Sequence, residues 1–177
     1  FTAEPTVGEA PLEVLFNDNS VRAYSYMWKF GDDSISSLPD PGPHVYFTPG
    51  DYRVTLVIES DLTCVDSASV TITVEPSLLQ IPNVFTPNDD GMNDFFIPDK
   101  KSLKYINIQV FAKSGHRVYY YQATGDDLQN WTGWDGHINN SGRLADAGTY
   151  YYVIRATGYD DIKYEGREYR GALYLYR

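Results

Sequence analysis

Apolar and polar residues alternate with a period of two over much of the chain. Segments 24–30, 52–58 and 70–74 show the pattern most clearly, the first with four aromatic residues at successive alternate positions. Segment 6–16 follows it less strictly. A period of two places successive side chains on opposite faces of a strand, so each segment is predicted to be a β-strand with one buried face. Clusters of Gly, Pro, Asn and Asp separate the strands as turns.

The second half of the chain repeats this organisation after a short linker at Pro76-Ser77. Ile106, Ile108 and Val110 alternate with polar residues, which predicts a strand with three apolar side chains on one face. A Gly-containing turn follows, and segments 117–121, 148–156 and 166–177 read as further strands. The pattern therefore predicts an all-β protein with two tandem β-sandwich domains, residues 1–76 and residues 77–177, and no helices.

Length and composition agree with two small aromatic-rich domains. The 177 residues include 16 Tyr, 8 Phe and 3 Trp, and domains of this size bury roughly 60% of their unfolded surface. No apolar run approaches the roughly 20 residues that span a bilayer, and no signal-peptide pattern opens the chain. We therefore expect no membrane insertion, and we expect the chain to be a fragment of a longer protein or a processed product.

The net charge of −10 is unevenly distributed. Residues 1–76 carry −9, whereas residues 77–177 carry −1. Without a stripe of Lys and Arg residues, the chain is not expected to bind nucleic acid or anionic lipid. Its single cysteine, Cys64, excludes an internal disulfide, and its apolar neighbours predict an inert buried thiol.

Several motifs of the first half resemble a known family. They are Trp28-Lys29-Phe30-Gly31-Asp32-Asp33, His44-Val45-Tyr46, Gly50-Asp51-Tyr52-Arg53-Val54-Thr55-Leu56 and Val70-Thr71-Ile72-Thr73-Val74. Together they are similar to the PKD domain, whose resemblance implies an Ig-like β-sandwich over residues 1–76. Asp33 stands where that family usually has Gly, so the turn must tolerate Asp in a left-handed conformation.

The second half resembles a narrower family. The motifs are Phe85-Thr86-Pro87-Asn88, Asp90-Gly91, Asn93-Asp94, Gly115-His116-Arg117-Val118, Trp134-Asp135-Gly136, Gly148-Thr149-Tyr150-Tyr151-Tyr152 and Gly171-Ala172-Leu173-Tyr174-Leu175-Tyr176-Arg177. They are similar to the gliding-motility-associated C-terminal domain, the type B sorting domain of the type IX secretion system of Bacteroidetes. Asp89 replaces a usual Gly, and Ala112-Lys113-Ser114 replaces a usual Asn-Arg-Trp. The turn therefore lacks the Trp that the family carries there.

This second resemblance implies a secretion signal rather than an enzyme. The domain would be read by the type IX machinery in the periplasm and coupled at the surface through a PorP/SprF-like outer-membrane β-barrel, so the protein would be secreted or displayed on the cell surface. We predict that the last strand docks on a partner by its free edge. Its residues are Gly171, Ala172, Leu173, Tyr174, Leu175, Tyr176 and Arg177.

A cluster of Asx residues in the loop after Phe85 has two interpretations. Asn88, Asp90, Asn93 and Asp94 place oxygens around a Gly turn, which favours a hard cation such as calcium, although the spacing is not that of an EF-hand. Alternatively, the same side chains accept hydrogen bonds from the backbone and need no ion. The resemblance implies no required cofactor, and calcium is the one ion that these residues suggest.

The first half offers a further set of calcium ligands, for which a structural turn is the simpler explanation. Its members are Asn17, Asp18 and Asp32.

Catalysis has little support in the sequence. His44, His116 and His137 lie in separate segments, and no nucleophile-elbow, metalloprotease or phosphate-loop spacing occurs. The alternative to a sorting signal is an adhesive tail, in which exposed aromatic rings bind polysaccharide or another surface protein. Against a continuous aromatic surface, the runs 119–121 and 150–152 must place adjacent Tyr residues on opposite faces of a strand.

Overall fold

The computed structural model describes the backbone of all 177 residues and every side chain except those of Asp126 and Asn140. The chain forms two compact units, Phe1–Pro76 and Ser77–Arg177. The division falls between the two residues of the Pro76-Ser77 linker. In the described part of the chain, no helix has both the length and the apolar character to cross a membrane.

The first unit is a two-sheet β-sandwich. Its strands are β1 (Thr2–Glu4), β2 (Val7–Glu9), β3 (Leu12–Asn17), β4 (Ala23–Lys29), β5 (Ile35–Ser36), β6 (His44–Tyr46), β7 (Gly50–Ser60) and β8 (Val65–Glu75). One sheet has the order β1-β3-β6 and the other β2-β8-β7-β4-β5. Aromatic rings pack between the two sheets: the ring centroids of Phe16 in β3 and Trp28 in β4 lie 5.8 Å apart.

Two details of the first unit differ from the sequence predictions. Segment 6–16 is not one strand, because it crosses from one sheet to the other between β2 and β3 at Pro11, which has no N–H to donate to a ladder. Tyr24, predicted to lie on a half-buried strand, is 80% exposed, beside a register shift between Ala23 and Ser25. Trp28 and Phe30 are buried as that alternation predicts.

The prediction of a buried Cys64 is wrong. Cys64 is exposed in the turn that joins β7 to β8. Its apolar neighbours Leu62 and Val65 are also exposed, by 78% and 66%. The tip of this hairpin has no facing layer to pack against its apolar side chains, so local hydrophobicity gave the wrong expectation.

The residues of the PKD-like motifs hold one end of the first unit together. The Tyr46 hydroxyl donates to the carbonyl of Phe30 at 2.9 Å, and the His44 ring stacks on Phe30 with centroids 4.2 Å apart. Asp32 accepts a hydrogen bond from the N–H of Ser34 at 3.1 Å and lies 2.8 Å from Nε2 of His44. Asp33 follows with φ of +70°, the left-handed conformation expected where Gly is usual. Asp32 therefore has a complete structural role in this turn.

Asp32 should make the first unit sensitive to acid. Burial alone would raise its pKa, but hydrogen bonds from Ser34 and His44 outweigh burial and lower the pKa. Its contribution is therefore present above the unfolded-state pKa of about 4 and is lost as pH falls through the lower folded-state pKa. We expect Asp32→Asn to cost about 1–2 kcal/mol at pH 7 and progressively less as the pH falls through the folded-state pKa of Asp32. Thermal unfolding across this range measures the difference.

Asp61→Asn, at an exposed position in the turn after β7, is the matched control and should change stability little at either pH. A destabilisation by Asp32→Asn that is equal at pH 7 and at low pH would show that the charge of the carboxylate is not responsible.

The second unit is built on one large sheet. Its strands are β9 (Leu78–Gln80), β10 (Val84–Phe85), β11 (Asp99–Lys101), β12 (Leu103–Ala112), β13 (Arg117–Thr124), β14 (Gly148–Gly158), β15 (Lys163–Tyr164) and β16 (Arg170–Leu175). The sheet has the order β10-β16-β14-β12-β13, with β15 beside β14, and β9 pairs with β11 as a two-stranded ribbon. A one-turn helix, α1 (Asp126–Gln129), and a 3₁₀ helix at Ile138–Asn140 were not predicted, because one turn is too short to produce helical periodicity.

The inner face of the large sheet carries the core of the second unit. Ile106, Ile108 and Val110 are fully buried, which confirms their predicted common face. Tyr119 and Tyr150 are buried on this face, whereas their neighbours Tyr120 and Tyr151 are 42% and 46% exposed. The predicted alternation of the Tyr runs is confirmed.

The layer opposite the inner face combines the ribbon, the short helix α1 and ordered loops. It supplies Leu79, Phe96, Leu128, Trp134 and Ala145 to the same buried cluster. The all-β, sandwich-like class is confirmed. In the second unit, loops cover part of the inner face that a second sheet would cover in a complete sandwich.

Candidate functional site

The loop between β10 and β11 is organised by one carboxylate. Oδ1 of Asp94 accepts from the N–H groups of Asn88 at 3.1 Å and Asp89 at 2.8 Å, and Oδ2 accepts from the N–H of Gly91 at 2.8 Å. Three backbone donors in a tight loop therefore converge on a single side chain. Such an arrangement satisfies donors that the turn cannot pair with other backbone groups.

The other Asx residues of this loop complete the network. Oδ1 of Asn88 accepts from the N–H of Asp90 at 3.3 Å, and Oδ1 of Asp90 accepts from the N–H of Met92 at 2.8 Å. The Asn88 amide also donates to Oδ2 of Asp90 at 3.0 Å. Asn93 joins through its carbonyl, which accepts from the N–H of Thr86 at 2.8 Å. The structure thus brings the four predicted ligand residues together in one loop.

The network matches the hydrogen-bonding interpretation of these residues. Carboxylate oxygens of Asp90 and Asp94 already accept hydrogen bonds that a calcium ion would have to replace or share. Among the described side chains, no group of three or more His, Cys, Asp or Glu residues is arranged to hold a metal. Calcium binding at Asn88, Asp90, Asn93 and Asp94 stays a prediction.

The backbone of the loop explains its family pattern. Asp89 and Asn93 have φ of +60° and +55°, and Gly91 between them has +84°. Glycine adopts this region without steric cost, and Asn and Asp tolerate it better than other residues. Asp89 therefore occupies a position at which the usual Gly is understandable.

Trp134 joins this loop region to the sheet. Its side chain is fully buried, and its ring centroid lies 5.2 Å from that of Phe85 and 5.7 Å from those of Tyr119 and Tyr150. Its Nε1 donates to the carbonyl of His137 at 2.7 Å. Backbone hydrogen bonds in both directions link Trp134 with Phe96, just after the Asx loop. The Trp-Asp-Gly motif is thus a packing centre of the unit.

A cleft of about 560 Å³ opens beside this centre. Its wall includes Tyr121 and Trp131, whose rings stack at 4.7 Å and 12°, and Nε1 of Trp131 donates to the hydroxyl of Tyr119 at 2.9 Å. Burial raises the pKa of the Tyr119 hydroxyl to about 12, although the bond from Trp131 lowers it in part. Asp135 and His137 also line the cleft, with Oδ2 and Nδ1 2.9 Å apart. No sequence pattern indicated the cleft, because these residues come from β13 and from the segment after α1, which meet only in the folded domain.

The terminal strand does not have the free edge that the sequence analysis assumed. On one side it pairs antiparallel with β14, and on the other β10 pairs parallel with it, Val84 opposite Tyr174 and Phe85 opposite Leu175. The N–H groups of Tyr174 and Tyr176 donate to the carbonyls of Asn83 and Phe85 at 2.8 and 3.2 Å. β10 therefore occupies the edge of the terminal strand at Tyr174 and Leu175, and a partner strand cannot pair with the strand over its full length.

The side chains of the terminal strand divide by face. Leu173 and Leu175 are buried in the core, and a Cβ on Gly171 would lie 2.5 Å from the hydroxyl oxygen of Tyr152. Tyr174 and Tyr176 are 40% and 58% exposed, while Ala172 is half-buried and Arg177 is exposed. A docking role for Gly171 to Arg177 stays a prediction, and within that segment only the outward residues have side chains available to a partner.

A family model described as the CHU_C type IX secretion signal domain matches residues 79–175. The chain belongs to the CHU_C type IX secretion signal family. The match includes the Asx loop, Trp134 and β16, so the features above are those of a CHU_C domain. A PKD domain model matches residues 2–74, ahead of it.

Relatives and solved structures share less with the chain. Collagenase ColQ1 of Bacillus cereus (strain Q1) is 26% identical in a match that covers 77% of this chain and 16% of the collagenase. A solved carbohydrate-binding module of the β-sandwich superfamily is 15% identical, with 93% of this chain and 96% of the module covered and a TM-score of 0.40. Dimeric latent PorU of Porphyromonas gingivalis is 11% identical, with 92% and 18% covered and a TM-score of 0.33.

The function of the second unit follows from its membership of the CHU_C family. It is a secretion signal that interacts with the type IX machinery, and proteins that carry it are exported to the cell surface or the medium. Secretion signal and PKD domains are non-catalytic families.

Proposed function

We propose that the CHU_C domain acts as a preformed, folded address that is docked on a PorP/SprF-like outer-membrane β-barrel, and that the chain has no catalytic activity. The observation that supports the proposal is that the buried cluster of the second unit, from Leu79 to Leu175, lies wholly within the segment matched by the family model. A signal with a core of its own can present a fixed surface to a receptor. The PKD domain serves as an acidic spacer whose charge of −9 keeps it soluble.

A fusion experiment tests this proposal. A fluorescent protein that carries a periplasmic signal is joined to residues 77–177 and produced in a type IX-competent cell. We expect export to the surface or medium, whereas the same fusion with residues 1–76 should stay in the periplasm. A strain that lacks type IX secretion is the second control. Equal export of both fusions, or retention of both, would contradict the proposal.

The PorP/SprF-like partner needs a separate measurement. Cross-linking of the exported fusion in cells that carry or lack a candidate barrel of this class should yield an adduct only when the barrel is present. An unchanged level of surface-attached fusion in the absence of every such barrel would contradict this partner while leaving the signal function intact.

Removal of residues 171–177 would not be a clean test of docking by this segment. The deletion would take Leu173 and Leu175 out of the core, so loss of export could follow from unfolding alone. Tyr174→Ser and Tyr176→Ser change exposed rings instead. If the docking role of this segment is correct, the double substitution should reduce surface attachment and leave the melting temperature of the CHU_C domain within a few degrees.

The aromatic cleft supports a second candidate function, an adhesive tail that binds saccharide. Stacked Tyr121 and Trp131 rings with Asp135 and His137 nearby combine an apolar surface with polar groups, as sugar sites do. A screen of the whole chain against neutral polysaccharides, repeated with Trp131→Ala, tests it. Binding that Trp131→Ala abolishes would support the adhesive function, and binding to none would contradict it.

A further inference from the structure

The large sheet of the CHU_C domain has an outer face opposite its buried one. On β12 the outer face consists of Asn107 and Gln109, which point away from the core. On the neighbouring strands it consists of the residues that pair with these two and of those that alternate with the buried residues. Tyr151, Arg155 and Tyr174 belong to it. This face extends from β13 across β12 and β14 to β16 and β10.

Charge is segregated on the outer face. The register places four exposed basic residues on it, Arg117, Arg155, Lys163 and Arg170, and no acidic residue lies at a described strand position of this face. Residues 77–177 as a whole carry −1, so the rest of the domain is acidic. The strand positions of the outer face thus carry positive charges only, whereas the acidic residues of the domain lie in its loops, in α1 and in the β9–β11 ribbon.

A connected set of polar side chains holds part of the outer face in place. The Gln109 amide donates to Asn107 at 3.2 Å, and the Asn107 amide donates to Oε1 of Gln122 at 3.2 Å. The Tyr120 hydroxyl donates to the same oxygen at 2.8 Å. The guanidinium carbon of Arg117 lies 4.8 Å from the centre of the Tyr120 ring. These groups are ordered before any partner arrives, which reduces the entropy cost of binding.

Aromatic side chains complete the outer face. Tyr120, Tyr151 and Tyr174 are each 40–46% exposed on three different strands. Tyr and Arg are the residue types enriched at the energetically important centres of protein interfaces. With strands about 4.8 Å apart, five strands span roughly 20 Å, a width suited to a protein partner.

From this arrangement we infer that the outer face, rather than the edge of the last strand, is the surface by which the CHU_C domain docks on an acidic surface of a protein of the type IX machinery. The inference rests on the proposed function and specifies the site and the charge of the partner. Basic side chains steer an acidic partner towards the face, and the Tyr rings supply the buried contact.

An acidic polysaccharide is the other occupant with the required charge. The outer face favours protein because it is a broad sheet surface with its cations on separate strands. A single saccharide chain is better matched by a cleft, and the aromatic cleft described above lies on the inner side of the sheet, beside Tyr119 and Tyr121.

Charge reversal tests the inference in the full chain fused to a fluorescent protein with a periplasmic signal. The variant is Arg155→Glu with Arg170→Glu, and the matched control is Lys113→Glu with Arg143→Glu, which changes the net charge equally at exposed positions outside the outer face. We expect the face variant to reduce surface delivery by about ten-fold or more, with accumulation in the periplasm, and the control to stay within about two-fold of the parent. Thermal unfolding of both purified proteins verifies that they are folded.

The outcomes separate the inference from the proposed function. Failure of the unsubstituted fusion to leave the cell contradicts the proposed function itself. Export of the face variant at the parent level overturns the docking face and leaves the signal intact. Should the face variant unfold, Arg155→Gln with Arg170→Gln replaces it, and the same reduction in delivery is expected.

A second arm distinguishes the two occupants. Alginate, an acidic polysaccharide, is titrated into the full chain and into the face variant. Binding that the substitutions abolish, together with unchanged export, would overturn the protein-docking inference in favour of a polysaccharide. No binding, together with loss of export in the face variant, supports it.

Discussion

Trp134→Ala is expected to lower the free energy of unfolding of the CHU_C domain by about 3–5 kcal/mol. The side chain is fully buried among Phe85, Tyr119 and Tyr150, and its Nε1 bond to the His137 carbonyl is lost with it. A domain of this size has only about 5–15 kcal/mol of stability in total. We therefore expect a large drop in melting temperature and, in cells, loss of the exported fusion.

Chemical unfolding of residues 77–177 measures this effect. Trp134→Phe keeps an aromatic ring in the cluster and should cost less than Trp134→Ala, while Trp131→Ala at a half-buried position should cost least. If Trp131→Ala destabilised the domain as much as Trp134→Ala, Trp134 would not be the packing centre that the ring contacts indicate.

Asp94→Ala is expected to cost about 2–3 kcal/mol, because one carboxylate accepts hydrogen bonds from Asn88, Asp89 and Gly91. Asp94→Asn should recover only part of this, since an amide offers one accepting oxygen instead of two. Asp90→Ala is the matched control in the same loop. It should cost less, because the Asp90 carboxylate accepts from one backbone N–H, that of Met92, whereas the Asp94 carboxylate accepts from three. Thermal unfolding of the three variants ranks the effects.

The same proteins decide the question of calcium. If hydrogen bonds alone organise the loop, calcium added after chelator treatment will not raise the melting temperature of the parent. A rise in the parent that Asp94→Ala abolishes would establish the calcium site at Asn88, Asp90, Asn93 and Asp94. Equal destabilisation by Asp94→Ala and Asp90→Ala without calcium would contradict the central role of Asp94.

Local patterns predicted the strands and their buried faces well. The inward side of β12 and the alternation of the Tyr runs follow from a period of two, which is a property of single strands. The Asp residues at 33 and 89 illustrate the same local logic, since both stand at usual Gly positions and both have left-handed φ. Burial of Cys64 was predicted wrongly, because hydrophobic neighbours do not reveal whether a hairpin tip has a layer opposite it.

Pairing between distant segments was beyond local patterns. Nothing in the alternation of β16 indicates that β10 will cover its outer edge, and nothing in Pro11 alone shows that β2 and β3 will enter different sheets. The one-sided charge of the outer face likewise emerges only once strand register assigns Arg117, Arg155 and Arg170 to the same side. Such features depend on register across the sheet, which one strand does not specify.

The parallel pairing of β10 with β16 has a consequence for the order of folding. Val84 pairs with Tyr174, ninety positions further along the chain, and Leu173 and Leu175 complete the core. During synthesis, β10 therefore cannot pair with β16 until the end of the domain has been made. Contacts of such long sequence separation form slowly. A chain interrupted before β16 lacks both the closing strand and part of the outer face. Completion of the fold thus reports that the whole domain has been made.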